Sequence, residues 1–117
     1  MTNELKNGPN DAKVSELIFL VREFCEARGW DPYHSLKNLA IGAVTEAAEL
    51  VEPYRFRNDE EAQAYVSTAE GRENLEDELA DVLFFLLRIA QRYDVDLGEA
   101  LRRKIQKNAI KYPLPKQ

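Results

Sequence analysis

Apolar side chains recur along the chain at the three-and-four spacing of an α-helix face. A first helix is predicted over about residues 11–28, and Gly29 should end it. A second is predicted over about residues 36–52, with Ser35 as its N-cap and Pro53 just beyond its end. The alternation of polar and β-branched residues that marks a strand is absent from the sequence.

The second half of the chain continues the helical pattern. A connector after Pro53 should hold a short helix that begins near Asn58 or Asp59. A third main helix is predicted over about residues 72–92. A fourth opens in "DVDLGEALRRK", where Asp96 and Glu99 have capping-box spacing, and it should end before Pro113. The predicted fold class is therefore all-α, a helical bundle in one domain over residues 1–117, with an ordered core at about residues 11–113.

The third helix contains an apolar run that covers nearly its whole circumference. At 100° per residue, residues 82–87 point in almost every direction around the axis. A helix that is apolar on all sides is normally buried on all sides, and four helices of one small chain can hardly surround it. We therefore expect a homo-oligomer, a homodimer or homotetramer, that packs this helix in a shared four-helix core.

Composition narrows the class of protein. The chain has 117 residues, of which 44% are hydrophobic and 32% charged, as in an ordinary globular domain. No apolar run is long enough to cross a bilayer, the start does not resemble a secretory signal, and the single cysteine, Cys25, excludes an internal disulfide. We therefore expect a cytoplasmic protein with no membrane partner.

Charge is unevenly distributed along the chain. The net charge is −5, and six basic residues after position 101 leave −11 on the first 101 residues. This basic segment either complements the dipole of its own helix or helps to hold a polyanion. The acidic remainder argues against binding to extended nucleic acid, which needs a broad basic face.

Two acid pairs stand out because they share helix faces with apolar residues. Glu78 and Asp81 are three residues apart in "EDELADVLFF", and Glu46 and Glu49 repeat that spacing in "TEAAELVE". Either pair alone is most often a solvated face. Two such pairs on separate helices suggest a shared site, whereas the neighbouring acids of the third helix, such as Glu76, should face water.

Four converging carboxylates need compensating cations, because burial and repulsion would otherwise protonate some of them. Oxygen ligands favour Mg²⁺, with Mn²⁺ as a substitute. A di-iron site would need histidines three residues after glutamates, and a zinc site would need more His or Cys ligands. The sole histidine, His34, meets neither requirement.

Aromatic and basic residues offer further candidates for substrate contacts. Trp30 lies beside Tyr33 and His34 in sequence, and it could either form a wall for a nucleobase or anchor the junction of two helices. Arginine side chains on loops are usually solvated, but Arg57 could reach a phosphate or ribose. Three phenylalanines, Phe19, Phe24 and Phe84, are predicted to lie in the core.

"TEAAEL" followed by "EDELADVLFFL" resembles the all-α MazG-like nucleotide pyrophosphohydrolases, which carry an ExxE helix and a later ExxD helix. The resemblance extends over about residues 30–113. Within that family, "WDPYHSLKNL" and "KIQKNAIKYP" are similar to the dCTP pyrophosphatase branch.

This resemblance implies a Mg²⁺-dependent hydrolase that converts a nucleoside triphosphate, with dCTP favoured, to a monophosphate and pyrophosphate, and so cleans the nucleotide pool. It implies that Glu46, Glu49, Glu78 and Asp81 bind metal and are catalytic. It also implies nucleotide contacts at the following positions: His34, Asn38, Phe56, Phe85, Lys104, Asn108, Lys111 and Tyr112. Trp30 and Arg57 join these candidates for substrate binding because of their residue types.

The sequence departs from the family pattern at three positions. Thr45 stands where many members have a first Glu, although the dCTP branch also lacks it. Phe85 stands where that branch tends to have Tyr, and Phe56 where it tends to have Trp, so both lose a polar group that could discriminate base or sugar. A related pyrophosphohydrolase for dUTP or phosphoribosyl-ATP, and a non-catalytic helical interaction protein, remain alternatives.

Overall fold

A computed structural model of the protein describes residues 12–116, and within that range the chain is helical without a strand. Two 3₁₀ turns flank the second α-helix, one before it at Asp31–Tyr33 and one directly after it at Glu52–Tyr54. The α-helices are α1 (Val14–Ala27), α2 (Leu36–Val51), α3 (Asp59–Val66), α4 (Ala69–Arg92) and α5 (Leu97–Lys111). The predicted all-α class is confirmed.

Polar N-caps fix where the middle helices begin. The Ser35 hydroxyl accepts a hydrogen bond from the Asn38 backbone N–H at 3.1 Å, as predicted for α2. Asn58 caps α3 through a full capping box. Its side-chain oxygen accepts a hydrogen bond from the Glu61 backbone N–H at 2.8 Å, and its backbone N–H donates to the Glu61 carboxylate at 2.9 Å. Gly29 follows α1 with φ +65°, the left-handed conformation that suits a glycine at this position.

Helix α4 begins at Ala69, one turn earlier than predicted. The Thr68 hydroxyl accepts from the Gly71 N–H at 3.0 Å, which is an N-cap that the hydrophobic pattern does not show. A Cβ on Gly71 would lie 1.9 Å from the Tyr65 carbonyl oxygen, so only glycine lets the first turn of α4 lie this close to the end of α3.

At the start of α5, half of the predicted capping box is formed. The Asp96 carboxylate accepts from the Glu99 backbone N–H at 3.0 Å. The Glu99 carboxylate instead lies 3.9 Å from the Arg102 guanidinium, an exposed pair of little energetic weight.

The core forms where α4 packs on α1 and α2. Val21, Cys25 and Leu87 make a buried cluster, and Trp30 and Phe84 pack against it. Burial raises the pKa of the Cys25 thiol, so this side chain acts as a small apolar core residue. Because α2 and α4 pack along each other, the two predicted acid pairs are brought to the same interface.

Much apolar surface stays exposed in the single chain. Leu83 and Leu86 of the apolar run are 43% and 44% exposed, so this chain alone does not surround α4, and self-association stays a prediction. The core predictions for Phe19 and Phe24 are wrong for the single chain. Phe19 is 57% exposed because it lies on the side of α1 away from Val21, and Phe24 is 42% exposed. Within residues 12–116, no helix is long and apolar enough to cross a membrane.

Candidate active site

The acid pairs of α2 and α4 converge as the sequence predicted. Glu46, Glu49 and Glu78 each place a carboxylate oxygen within 4.8 Å of the others. Asp81 lines the same cleft as Glu46, and its charge contributes to the raised pKa of Glu46. Glu76, the acid expected to face water, is exposed and pairs with Arg72 at 3.0 Å.

The electrostatics of this acidic cluster are unfavourable without a cation. Burial, and then the charges of Glu49, Asp81 and Glu78, raise the pKa of Glu46. Burial, and then the charges of Glu49 and Asp81, raise the pKa of Glu78. None of the ion pairs within residues 12–116 involves these four carboxylates. The cluster therefore holds negative charge that the described part of the chain does not compensate.

One atom of the cluster indicates where a cation would fit. The Oε1 atom of Glu78 is buried, and it has no hydrogen-bond partner among the described residues. Buried polar atoms are normally paired, and a metal ion is one way to satisfy such an oxygen. A set of several carboxylate oxygens is the donor type of a hard divalent cation such as Mg²⁺. The residues present therefore fit the predicted metal.

An aromatic cleft opens beside the acidic cluster. Its volume is about 360 Å³, and Glu46 and Asp81 form its polar part. Its apolar lining consists of Phe24, Trp30, Phe84 and Phe85. Neighbouring rings meet edge to face, with centroids 5.6 Å apart for Phe24 and Trp30 and 6.0 Å apart for Phe24 and Phe84. Such a cleft offers planar apolar contacts next to a metal-binding position.

One of these aromatic residues lies elsewhere than predicted, and another lies at its predicted place and also lines the cleft. Phe24 was expected in the core but lines the cleft, because its position on α1 places its ring against Trp30 and against Phe84 of α4. Phe84 packs against the core and also lines the cleft. Trp30 packs against the core cluster, which agrees with its role as an anchor, and it also lines the cleft, where contact with a nucleobase stays a prediction.

A glycine on α2 makes room for Phe85. A Cβ on Gly42 would lie 2.3 Å from Cε1 of the Phe85 ring, so a larger residue would force the ring to move. Gly42 lies one turn before Glu46 on the same helix face. The position of Phe85 in the cleft thus depends on glycine at position 42, which leaves space for the ring next to the acidic cluster.

Sequence reasoning missed Arg88, which is fully buried on α4. Its Nε donates to Nδ1 of His34 at 2.9 Å, and one terminal nitrogen donates to the Asp31 carboxylate at 2.5 Å. The other terminal nitrogen donates to the Gln91 side-chain oxygen at 2.5 Å. A sequence signal was present, because an arginine inside the apolar run "FFLLRIA" must find polar partners when the helix is buried.

This network sets the ionisation of Asp31 and His34. The hydrogen bond from Arg88 holds the pKa of the Asp31 carboxyl below its ordinary value. Burial and the cations of Arg88 and Arg92 hold the pKa of His34 below its ordinary value, although Asp31 opposes them. His34 also packs against Trp30 with ring centroids 5.7 Å apart, so the network adjoins the aromatic cleft.

Several residues predicted to bind nucleotide lie elsewhere in the single chain. The Asn38 side chain donates to the Tyr33 carbonyl at 3.1 Å, which stabilises the turn before α2. Phe56 is 88% exposed after α2. Arg57 donates to the Pro53 carbonyl and lies 4.2 Å from the centroid of the Tyr65 ring. None of these three side chains lines the aromatic cleft.

The basic segment also lies away from the cleft. The predicted contacts Lys104, Asn108 and Lys111 are on α5, whose described residues include no buried side chain, and Tyr112 follows its end and is 67% exposed. Leu97, at the start of α5, packs against the core cluster, but Ile105 is 56% exposed. Within residues 12–116, these C-terminal residues do not complete the site.

The chain is similar in sequence to known proteins of one family. The profile of the MazG-like family matches residues 41–117. The chain is 35% identical over 105 residues to dCTP pyrophosphatase 1 of Bos taurus, which covers 90% of this chain and 62% of that protein. It is 35% identical over 100 residues to dCTP pyrophosphatase 1 of Homo sapiens, with 86% and 59% covered. The chain thus spans about three fifths of the length of these curated relatives.

A solved structure is similar along most of both chains. The crystal structure of a pyrophosphatase from Archaeoglobus fulgidus superposes with a TM-score of 0.79 and 38% sequence identity. The match covers 86% of this chain and 92% of that one. The similarity therefore extends over most of the helical fold.

Proposed function

The chain belongs to the MazG-like family, and we propose that it hydrolyses a nucleoside triphosphate to a nucleoside monophosphate and pyrophosphate. The observation that carries this proposal is the acidic cluster at the end of an aromatic cleft. A triphosphate needs divalent cations beside its phosphates, and a nucleobase needs a flat apolar surface. The cleft offers carboxylate ligands for such cations and aromatic rings for a base within one small volume.

Glu46, Glu49, Glu78 and Asp81 would hold the metal, for which Mg²⁺ is proposed and Mn²⁺ is a substitute. Three of them converge directly, and Asp81 lines the same cleft as Glu46. When bound, divalent cations would neutralise the triphosphate and lower the pKa of a coordinated water. The unsatisfied oxygen of Glu78 and the raised pKa values of Glu46 and Glu78 support a cation at this position.

The chain's own residues divide the remaining work. Among the three glutamates of the cluster, Glu49 is exposed, whereas Glu46 and Glu78 are partly buried, so Glu49 is the glutamate best placed to orient or deprotonate the attacking water. The rings of Trp30 and Phe85 would stack on or border the base. Substrate then spans the cleft with its phosphates toward the acids and its nucleoside toward Trp30.

A dCTP-like deoxynucleotide is the proposed substrate, and removal of excess or modified nucleotides in the cytoplasm is the proposed role. The relatives named dCTP pyrophosphatase 1 support this choice at 35% identity. We also propose that the protein acts as a homodimer or homotetramer with a shared four-helix core. The exposed Leu83 and Leu86 on α4 and the exposed apolar side of α5 support that assembly.

In such an assembly, α5 of a second copy is proposed to bring Lys104, Asn108, Lys111 and Tyr112 to the phosphates or base. Phe56, Arg57 and Asn38 are proposed to approach the nucleotide from the turns before and after α2. The exposure of these side chains in the single chain leaves them accessible to such contacts.

The decisive experiment is a substrate panel. The protein is incubated with Mg²⁺ and each of the four standard dNTPs, 5-methyl-dCTP, dUTP or phosphoribosyl-ATP, and pyrophosphate is measured. We expect release that is fastest with a dCTP-like substrate and abolished by EDTA. Release from dUTP or phosphoribosyl-ATP alone would assign the chain to a related pyrophosphohydrolase. No release from any of them would leave the non-catalytic interaction protein.

A further inference from the structure

Arg88 is the buried charge that the proposed reaction does not explain. Its side chain is fully buried, and all three guanidinium nitrogens donate hydrogen bonds, to His34, Asp31 and Gln91. Burying a cation is costly unless it is paired and fully hydrogen-bonded. An apolar residue would fill the same space between α4 and the turn before α2 at lower cost, so the arginine has a use beyond filling space.

The position of Arg88 connects it with the proposed site. Arg88 follows Asp81 by seven residues, which places it on nearly the same face of α4 and about 10 Å further along the helix axis. Phe84 and Phe85 lie between them and line the cleft. At the far side, His34 joins Arg88 to Trp30, whose ring centroid is 5.7 Å from that of His34.

The hydrogen bond from Arg88 decides which nitrogen of His34 carries the proton. A guanidinium is a donor only, and its Nε donates to Nδ1 of His34. Nδ1 must therefore be unprotonated, and the single proton of the neutral ring lies on Nε2. The imidazole is held as a one-sided donor instead of exchanging between tautomers.

The surrounding charges keep His34 neutral. Arg88 and Arg92 face it from α4, and Asp31 faces it from the 3₁₀ turn that precedes it. Asp31 is already engaged by both arginines, at 2.5 Å and 3.5 Å. If His34 became protonated, its positive ring would lie beside the cations Arg88 and Arg92 and beside one carboxylate, Asp31, that is already paired with them.

We propose that Arg88 is a positioning residue, which orients His34 beside Trp30 so that its Nε2–H can donate to an uncharged oxygen acceptor of the nucleoside part of the substrate. The inference rests on the proposed function for the identity of the ligand. The orientation and tautomer of His34 do not depend on it. A neutral donor suits a sugar or base oxygen, whereas the phosphates belong at the acidic end of the cleft with the metal.

The first test uses the native protein and needs no substrate. His34 is the only histidine of the chain, so long-range ¹H–¹⁵N NMR reports one imidazole without ambiguity. At neutral pH we expect a neutral ring with its proton on Nε2. A ring protonated on Nδ1, or an imidazolium at neutral pH, would overturn the proposal.

The second test changes the donor. Arg88→Met removes all three hydrogen bonds, and Arg88→Lys keeps a charge for Asp31 without the planar fork that reaches His34 as well. Both should shift the His34 ring toward a mixture of tautomers. With dCTP and Mg²⁺, both should raise KM about fivefold to tenfold, the weight of one hydrogen bond, and leave kcat within about twofold.

Arg72→Met is the matched control, because Arg72 lies on the same helix and pairs with Glu76 at the surface. It should leave the NMR signals and KM unchanged. If Arg88→Met does not fold, Arg88→Lys carries the test. Native tautomer and native KM in the variants would overturn the inference while pyrophosphate release still supported the proposed function. The expected tautomer without pyrophosphate release from any nucleotide would instead remove the proposed function and support the positioning of His34.

Discussion

Acids form two groups beside the aromatic cleft, Asp31 alone and the acidic cluster. A basic residue of the described chain compensates the charge of the first group only. Asp31 meets a fully buried arginine of the same chain, and its pKa is lowered by the hydrogen bond from Arg88. Glu46 and Glu78 meet other carboxylates, and their pKa values are raised by burial and by those neighbours. The two groups lie along α4, where Asp81 of the cluster and Arg88, the partner of Asp31, are about two turns apart.

The difference separates an acid that the fold itself compensates from acids for which we propose a metal ligand. A carboxylate with its own arginine needs nothing more, so Asp31 helps to fix the turn between α1 and α2. A carboxylate cluster without a cation is strained until one binds. The unsatisfied oxygen of Glu78 lies in the second group. The contrast between these groups can be tested with four predictions.

The largest expected effect is on turnover. Asp81→Ala should lower kcat/KM by about a hundredfold or more, because a metal ligand supports several kcal/mol of transition-state stabilisation. The helical circular dichroism should not change, since the variant removes like-charge repulsion. Pyrophosphate release from dCTP with Mg²⁺ measures the effect.

Glu76→Ala is the control for that variant, because Glu76 is an exposed acid of the same helix. Its activity should equal that of the native protein. Native activity in Asp81→Ala would show that the acidic cluster is not the catalytic site.

The second effect is stabilisation by metal. Mg²⁺ at about one hundred times its dissociation constant should stabilise the native state by about 2.7 kcal/mol, because it binds the folded acids and not the unfolded chain. Differential scanning calorimetry with and without Mg²⁺ measures this as a rise in Tm. Glu78→Gln should lose most of the rise. An equal rise in both proteins would place the ion elsewhere.

The third effect is on the free energy of unfolding, through the ion pair between Asp31 and Arg88. Arg88→Met should lower the free energy of unfolding by about 2 kcal/mol, less than for a fully buried pair, since Asp31 remains 46% exposed and can be hydrated. Arg72→Met, which breaks a surface pair, should change it by less than about 0.5 kcal/mol. Urea titrations of the two variants give the comparison. Equal losses would show that the buried network adds no more than a surface pair.

The fourth effect is smaller and differs in sign between the two groups. The folded pKa of Asp31 is lowered, so its contribution is present above the ordinary carboxyl pKa and is lost as pH falls toward the folded value. The folded pKa of Glu78 is raised, so its cost grows as pH rises through and above the ordinary carboxyl pKa. Two neutral variants isolate these contributions.

In metal-free buffer, the native protein should exceed Asp31→Asn in stability at neutral pH and lose that advantage on acidification. It should be less stable than Glu78→Gln at neutral pH and equal to it in acid. Urea midpoints from about pH 3 to about pH 8 test both differences. Differences of the same sign would contradict the contrast between the two acid groups.

The sequence was sufficient for features that depend on local spacing. The three-residue intervals between Glu46 and Glu49 and between Glu78 and Asp81 place each pair on one helix face in any helical fold. Ser35 and Asn58 marked helix starts because their side chains cap the backbone locally. The start of α4 was missed because Thr68 and Gly71 lie outside the apolar pattern.

Features that join distant segments were beyond these patterns. Arg88 and Asp31 are 57 residues apart, and nothing local pairs them. The same limit applies to Phe24, because an apolar residue on a helix can equally line a core or a cleft until its neighbours are known. For Phe56 and the basic residues of α5, the single chain shows exposure, and their predicted contacts depend on a second copy or a bound substrate.

The sequence by itself determined the helices, the two acid pairs and the family to which they are similar, because helix periodicity and capping act over a few residues. Only the tertiary structure decided that α2 and α4 face each other, that the acidic cluster has no ion pair with the basic residues of the described range 12–116, and that Asp31 pairs with Arg88. Packing of non-local segments makes that decision, since the ionisation of a carboxylate depends on which charges the fold brings to it.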